Sequence, residues 1–250
     1  CASGLETIAI AVAKIRAGMG HVYIAGGAES MSLVPMTGYK LAPSYAVANS
    51  TPNYLVSMGI TAEAVAKKYG ITREMADEFS YHSHRKAGLA IDEGKFKQEI
   101  VPVQVEEVFV KDHKKVSTSQ IIDTDEGVRR DTTVEGLAAL RPAFAQNGTV
   151  TAGNSSQTSD GAAFVLVMSE EMVNHLGLKP IARLVSCSVA GVDPLYMGIG
   201  PCAAIPKALK QANLNLGDIQ QIELNEAFAA QALAVIQEAG LNPELVNPNG

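Results

Sequence analysis

The chain is short of cysteine, of positive charge and of long apolar runs, and each shortage closes off a class of function. Its three cysteines, Cys1, Cys187 and Cys202, are an odd number with no repeated spacing, which suits neither a disulfide framework nor a CxxC metal site. A reducing compartment, by default the cytoplasm, is expected. The net charge of −6 gives no basic footprint for nucleic acid or an acidic membrane surface, so a polyanionic ligand would have to meet local basic residues. The longest apolar stretches, such as residues 162–168, have the length of a strand and fall far short of the roughly twenty residues of a membrane span. What remains is 250 residues with a hydrophobic fraction of 47%, a charged fraction of 18% and 22 glycines. That profile fits an α/β protein with a substantial core in one or two domains.

Cys1 opens a small-residue turn, Cys1-Ala2-Ser3-Gly4, that runs into an amphipathic segment. Leu5, Ile8, Ala9, Val12, Ala13 and Ile15 recur at helical steps until Gly18 and Gly20, and the apolar run 22–25 follows as a strand. Cys1 is therefore expected to head a helix packed on a sheet. Free N–H groups at such an end favour thiolate over thiol, although a cysteine there also suits a small buried core position.

Residues 1–32 read as helix, strand and a Gly26-Gly27 turn. Residues 33–149 shift to polar, charged segments and are expected to form a mixed α+β insert outside the layered core. Within it, Thr61 starts a helix that Gly70 ends, Thr72 caps a longer one through about Glu93, and residues 100–105 and 107–110 alternate like two strands. Thr132 to Glu135 has capping-box spacing. Residues 150–177 return to the core with 162–168 as a buried strand. Residues 178–250 restart the α/β alternation: strand 181–189, helix 203–212, strand 220–224 and helix 226–239. Asn225 then falls between a strand end and a helix start, the same kind of place as Cys1.

Six stretches carry a resemblance: Cys1-Ala2-Ser3-Gly4-Leu5, residues 25–32, Met58-Gly59-Ile60-Thr61-Ala62-Glu63, residues 153–163, Asn225-Glu226-Ala227-Phe228-Ala229 and Asn247-Pro248-Asn249-Gly250. In order and spacing they resemble the thiolases across essentially the whole chain. The resemblance implies a layered αβαβα fold with an inserted loop domain. The activity it implies is cleavage of 3-oxoacyl-CoA by CoA to acyl-CoA and acetyl-CoA, through an acyl group carried on cysteine. Cys1 matches the nucleophile and Asn225 the asparagine that positions a water in an oxyanion hole. Met58 matches a methionine of the pantetheine tunnel, Ser186 and Arg183 a pantetheine-contacting stretch, and Ser156 and Phe228 complete the expected substrate-contacting set. Coenzyme A enters as substrate, with no bound cofactor and no metal, and a homodimer or homotetramer is implied.

The family also carries a substantial stretch before the nucleophile, and a catalytic histidine and second cysteine after the turn matched by Asn249-Gly250. The 250 residues are accordingly expected to be an interior piece, incomplete at both ends of the fold and inactive alone. Ser57 and the 155–160 stretch resemble the degradative branch. The alternatives are an acetoacetyl-CoA-forming acetyltransferase and a non-catalytic acyl-CoA-binding relative.

Plainer readings are kept for several other residues. Glu226 reads as a first-turn acid with no chemical role, and Ser155, Gln157, Ser159 and Asp160 as turn formers. His82 and His84 read as surface histidines on different helix faces, Lys114-Lys115 and Arg129-Arg130 as solvated pairs, and Cys187 and Cys202 as inert.

Overall fold

In chain order the computed structural model, which describes all 250 residues, contains α1 (Ser3–Arg16), β1 (Val22–Ser30), α2 (Tyr45–Ser50), α3 (Met58–Tyr69), α4 (Arg73–Asp92), β2 (Val103–Lys111), β3 (Lys114–Ile122), α5 (Val134–Ala138), β4 (Asp160–Met168), α6 (Glu170–Leu176), α7 (Gly200–Ala212) and α8 (Ala229–Glu238). A 3-10 segment, Pro194–Ile199, leads into α7.

Side-chain caps set the helix bounds. Helix α3 begins three residues before the expected Thr61, because the Ser57 hydroxyl accepts the Ile60 N–H at 3.4 Å; Thr61 sits inside it and donates back to the Met58 carbonyl at 2.7 Å. It ends, as expected, at Gly70 in the left-handed region (φ 67°), where a side chain would be strained. Thr72 caps α4 by accepting from the Met75 N–H at 3.2 Å. The cap of α5 is Thr133 rather than Thr132, so Glu135 lies one position too early to complete the anticipated capping box.

Only 26 of the 250 residues are buried, and they mark a helical seam rather than a sheet as the interior. Val65, Ala66 and Ile71 of α3 and its exit meet Ala230 and Ala234 of α8, and Val235 packs with Leu241 and Val246 just beyond. Small side chains on both partners let the helices approach closely.

The sheets depart most from expectation. Strands β1 and β4 pair antiparallel from Val22 opposite Met168 to Ser30 opposite Asp160, with α1 packed against them. Gly26 and Gly27 are mid-strand rather than a turn; a Cβ on Gly26 would collide with the Ala163 carbonyl and Phe164, so the pairing needs glycine there. Residues 162–168 form a strand, but not a buried one. Phe164 and Leu166 are 59% and 58% exposed, because a two-stranded ribbon covered by one helix leaves a face in solvent.

Within residues 33–149, one strand, β2, replaces the two expected, and its partner β3 was not foreseen. They join through Asp112 and His113 at φ 51° and 59°, the left-handed pair of a tight hairpin. Both faces of this hairpin are largely exposed, so hydrophobic alternation gave no signal for β3.

Residues 181–189 are not a strand, since nothing pairs with them. They lie along α7, where Ser186 and Ser188 donate to the carbonyls of Ala208 (2.9 Å) and Ala204 (2.7 Å). Residues 220–224 shrink to a single parallel bridge, Ile222 with Val246. Helix α8 starts at Ala229, three residues late, because the 225–228 loop is held extended against residues 154–156.

Candidate active site

A cavity of about 470 Å³ opens where α4, the polar turn 153–157, the loop 223–226 and the turn 247–250 meet. Ser156, Asn225, Glu226, Ser83 and His84 are in its wall. Loops at such a place stay put only if their polar backbone groups find partners, and buried side chains provide them.

The polar turn is anchored from below. Arg73 donates through Nε to Asp77 (2.7 Å) and through its terminal nitrogen to the carbonyls of Leu137 (2.6 Å) and Leu140 (2.9 Å). Asp77, 1% exposed, accepts in turn from Asn154 Nδ2 at 2.9 Å. Asn154 Oδ1 accepts the Thr151 N–H (2.8 Å), and its carbonyl accepts the Ala229 N–H (2.9 Å). Glu63 of α3 takes the N–H groups of Thr149 and Val150, both at 2.9 Å. One network thereby ties α3, α4 and α5 to the first turn of α8.

The Asn225 loop is held from the other side. Asn247 Oδ1 accepts the Leu224 N–H (2.7 Å), while its Nδ2 donates to the Leu224 carbonyl (2.8 Å) and to Glu226 Oε1 (2.7 Å). The second oxygen of Glu226 accepts from Ser83 of α4 at 2.6 Å. None of these bonds uses the Asn225 side chain, which is left to the cavity.

Two plain readings are corrected here. Glu226 lies ahead of α8, not in its first turn, and both its oxygens are engaged. His84 is half-buried in the cavity wall, not a surface histidine, although His82 is exposed as expected. His84 Nδ1 accepts the Arg129 N–H at 3.2 Å, which assigns the remaining proton to Nε2. Burial first, and then the nearby Arg129 charge, hold its pKa below the usual 6.5; Glu226 and Asp131 oppose them. Outside the cavity Asp160 opens strand β4 opposite Ser30 and is not the turn former expected; it is bonded to the hydroxyl and N–H of Ser32, and the hydroxyl is the first cause of its lowered pKa.

The structure gathers some of the expected site residues and separates others. Asn225 and Ser156 share the cavity, with the Ser156 N–H on the Ala227 carbonyl at 3.0 Å. Phe228 pairs with Ser155 beside them, and its ring meets Phe144 edge-on at 6.1 Å. Met58 comes near the same place, since the adjoining Gly59 lies against the Phe144 ring.

Ser186 instead lines a second, more apolar cleft between residues 184–187 and the later half of α1, and Arg183 is exposed beside it. Cys1 is exposed ahead of α1 and touches neither cavity wall; at 1.5 Å per residue it is about 12 Å along the helix from Ala9, the first α1 residue of that cleft. Cys187 is exposed, whereas Cys202 is half-buried with its thiol pushed up, chiefly by burial.

Ser83, His84, Asn154 and Asn247 were not picked out as site residues by sequence reasoning. Only Asn154 and Asn247 carried a usable signal, since both lie within the matched stretches.

The comparisons with known proteins follow this geometry. Residues 1–171 match the model for the thiolase N-terminal domain and residues 178–250 that for the thiolase C-terminal domain. The chain is 55% identical to a Bacillus subtilis 3-ketoacyl-CoA thiolase and 47% identical to an Escherichia coli acetyl-CoA acetyltransferase, with all of this chain aligned to 64% and 65% of theirs. It spans, therefore, a little under two thirds of those relatives. Among solved structures, the dimeric peroxisomal thiolase of Saccharomyces cerevisiae matches the whole chain over 62% of its own, at TM-score 0.89 and 39% identity. Human mitochondrial 3-ketoacyl-CoA thiolase matches at TM-score 0.86 and 37% identity, again over the whole chain and 64% of its own.

Proposed function

The chain belongs to the thiolase family and has its α/β fold, and from that premise we propose that the protein is an acetyl-CoA C-acyltransferase acting on 3-oxoacyl-CoA. The observation that carries this reading is Asn225: it is exposed in the wall of an open cavity while the residues on both sides of it are clamped. An amide so placed suits a fixed donor, or a water-holding group, for an oxygen that becomes negative only during reaction.

In the proposed mechanism the Cys1 thiolate attacks the keto carbon of the substrate. The S–C bond forms, the bond between the α and β carbons breaks, and the electron pair leaves with acetyl-CoA as its enolate, which takes a proton. Free CoA thiolate then attacks the acyl-cysteine, and the Cys1 thiolate departs. The sequence is a ping-pong covalent path. It passes through two oxyanions, one on the tetrahedral carbon and one on the enolate, and losing a donor to either typically costs about 100- to 1000-fold in rate. Asn225 is assigned to the enolate oxygen through a water. Phe228, whose ring meets Phe144, and Met58, which adjoins the Gly59 lying against that ring, are assigned to the acyl and pantetheine wall together with Ser156. Ser186 and Arg183 are assigned to the pantetheine arm from the second cleft, where coenzyme A is substrate.

The test is mass spectrometry of the full-length gene product quenched with a 3-oxoacyl-CoA. An acyl adduct on Cys1 is expected, and an adduct elsewhere, or none, overturns the reading. A second reading, acetoacetyl-CoA formation, is favoured by the identity to the acetyl-CoA acetyltransferase, and activity confined to the four-carbon substrate would select it. A homodimer or homotetramer is proposed as the working assembly, in keeping with the dimeric yeast relative, and sedimentation of the full-length product tests it.

A further inference from the structure

Asn225 needs a fixed position if it is to hold a water against a developing charge, and the means of fixing it are visible in residues that do not themselves face the reaction. We propose that Glu226 and Asn247 are positioning residues for Asn225, and that Ser83 locks them to the insert through α4; this rests on the reading of Asn225 above.

Asn247 behaves as a piece of backbone supplied by a side chain. Its amide makes both hydrogen bonds to Leu224, N–H to Oδ1 at 2.7 Å and Nδ2 to carbonyl at 2.8 Å, as a neighbouring strand would. It is 4% exposed and sits in the left-handed region at φ 45°. Its own N–H donates to the Ile222 carbonyl (2.9 Å), and its carbonyl accepts from Lys86 of α4 (3.2 Å). The second proton of Nδ2 goes to Glu226 at 2.7 Å, which leaves the Asn247 amide no free donor.

Glu226 is committed in the same way. One oxygen takes Asn247 and the other takes Ser83 at 2.6 Å. Each carboxylate oxygen is thereby tied to a different partner. That geometry fixes the residue after Asn225, as Asn247 fixes the residue before it. The loop is thereby held at both neighbours with the asparagine side chain free between them, and Ser83 makes the position of that loop depend on α4.

The test uses kinetics of the full-length gene product in a double-mutant cycle. E226A is expected to lower kcat about 10- to 100-fold with KM within about threefold of wild type, since a misplacement near 1 Å can cost that much. E226Q should recover to within about threefold of wild type, because its amide can accept from Asn247 and donate to Ser83, whose hydroxyl serves either role. In an N225A background, E226A should cost nothing further, since a residue that acts only through another loses its effect when the other is gone.

If E226A lowers kcat equally in both backgrounds, or KM alone rises, the positioning role is overturned while the reading of Asn225 stands. If N225A itself keeps wild-type kcat, the reading of Asn225 fails instead. Should E226A fold poorly, S83A removes one of the two bonds to Glu226. A kcat lowered about 3- to 10-fold at unchanged KM then supports the proposal, and wild-type kcat overturns it.

Discussion

Around Asn225 the backbone is held by side chains: Asn247 on Leu224, Asn154 on Thr151, Glu63 on Thr149 and Val150, Arg73 on the end of α5. Along β1 and β4 it is held by one ladder of backbone bonds, with Ile24 75% exposed and Leu166 58% exposed on the ribbon. The first region carries its order within itself, because the buried Asp77, Asn154 and Asn247 there each have named partners. The second is a ribbon of two strands, and strands depend for their burial on neighbours and covering layers. The helical seam is therefore expected to be the stable part of this chain and the ribbon the yielding part.

That contrast can be broken or sharpened by measurement on this chain. The largest effect is expected from Arg73→Ala, which leaves the 1% exposed Asp77 without its cationic partner and strips the contacts to two carbonyls of α5 and to that of Leu140 just after it. A loss of about 3 kcal/mol in denaturant unfolding is anticipated; a loss under about 1 kcal/mol would mean that the network is not what holds the seam. Thr72→Ala removes the cap of α4 and should cost about 1 kcal/mol by the same measurement, with Thr72→Ser nearly silent.

His84 adds a smaller, pH-dependent contribution. Its folded pKa lies below the ordinary 6.5, so the unfolded chain takes up the proton first as pH falls. The stability it contributes is complete above 6.5 and is lost as pH drops through that value and then through the lowered folded pKa. Stability should therefore fall between neutral and mildly acidic pH, and His84→Asn should flatten that slope. A slope unchanged by the substitution would place the titrating group elsewhere. The smallest effect is expected from Ile24→Thr on the bare face of the ribbon, within about 0.5 kcal/mol. Amide exchange should be fast across β1 and β4 and slow in α8; equal protection in both would erase the distinction.

The caps show what local chemistry makes legible. Thr72 and Gly70 were read correctly as a start and a stop because a hydroxyl three residues ahead of a free N–H, or a glycine in the left-handed region, acts through bonds only a few residues long. Cys1 before α1, and Asn225 between a bridge and a helix, were legible for the same reason together with the family stretches. Strand β3 and the coil at 181–189 were not. The first has both faces in solvent and so no alternation, and the second has apolar residues suited to a strand but no strand beside it.

The cluster around Asn225 marks the same boundary at the site. Its amide could be proposed from its motif, but Ser83 lies 143 positions before Glu226 and no spacing rule relates them. By itself, then, the amino-acid sequence determined the family, the longer helices with the Gly70 stop and the Thr72 cap, and the candidate nucleophile and asparagine, because those depend on residue chemistry and short-range periodicity. Only the tertiary structure decided that β3 forms and 181–189 does not pair, that the buried core is the seam of α3 and α8, and that Glu226 is a bonded clamp and not a helix-end charge. Those outcomes depend on which distant groups come within hydrogen-bonding reach, and that is a property of the packed chain alone.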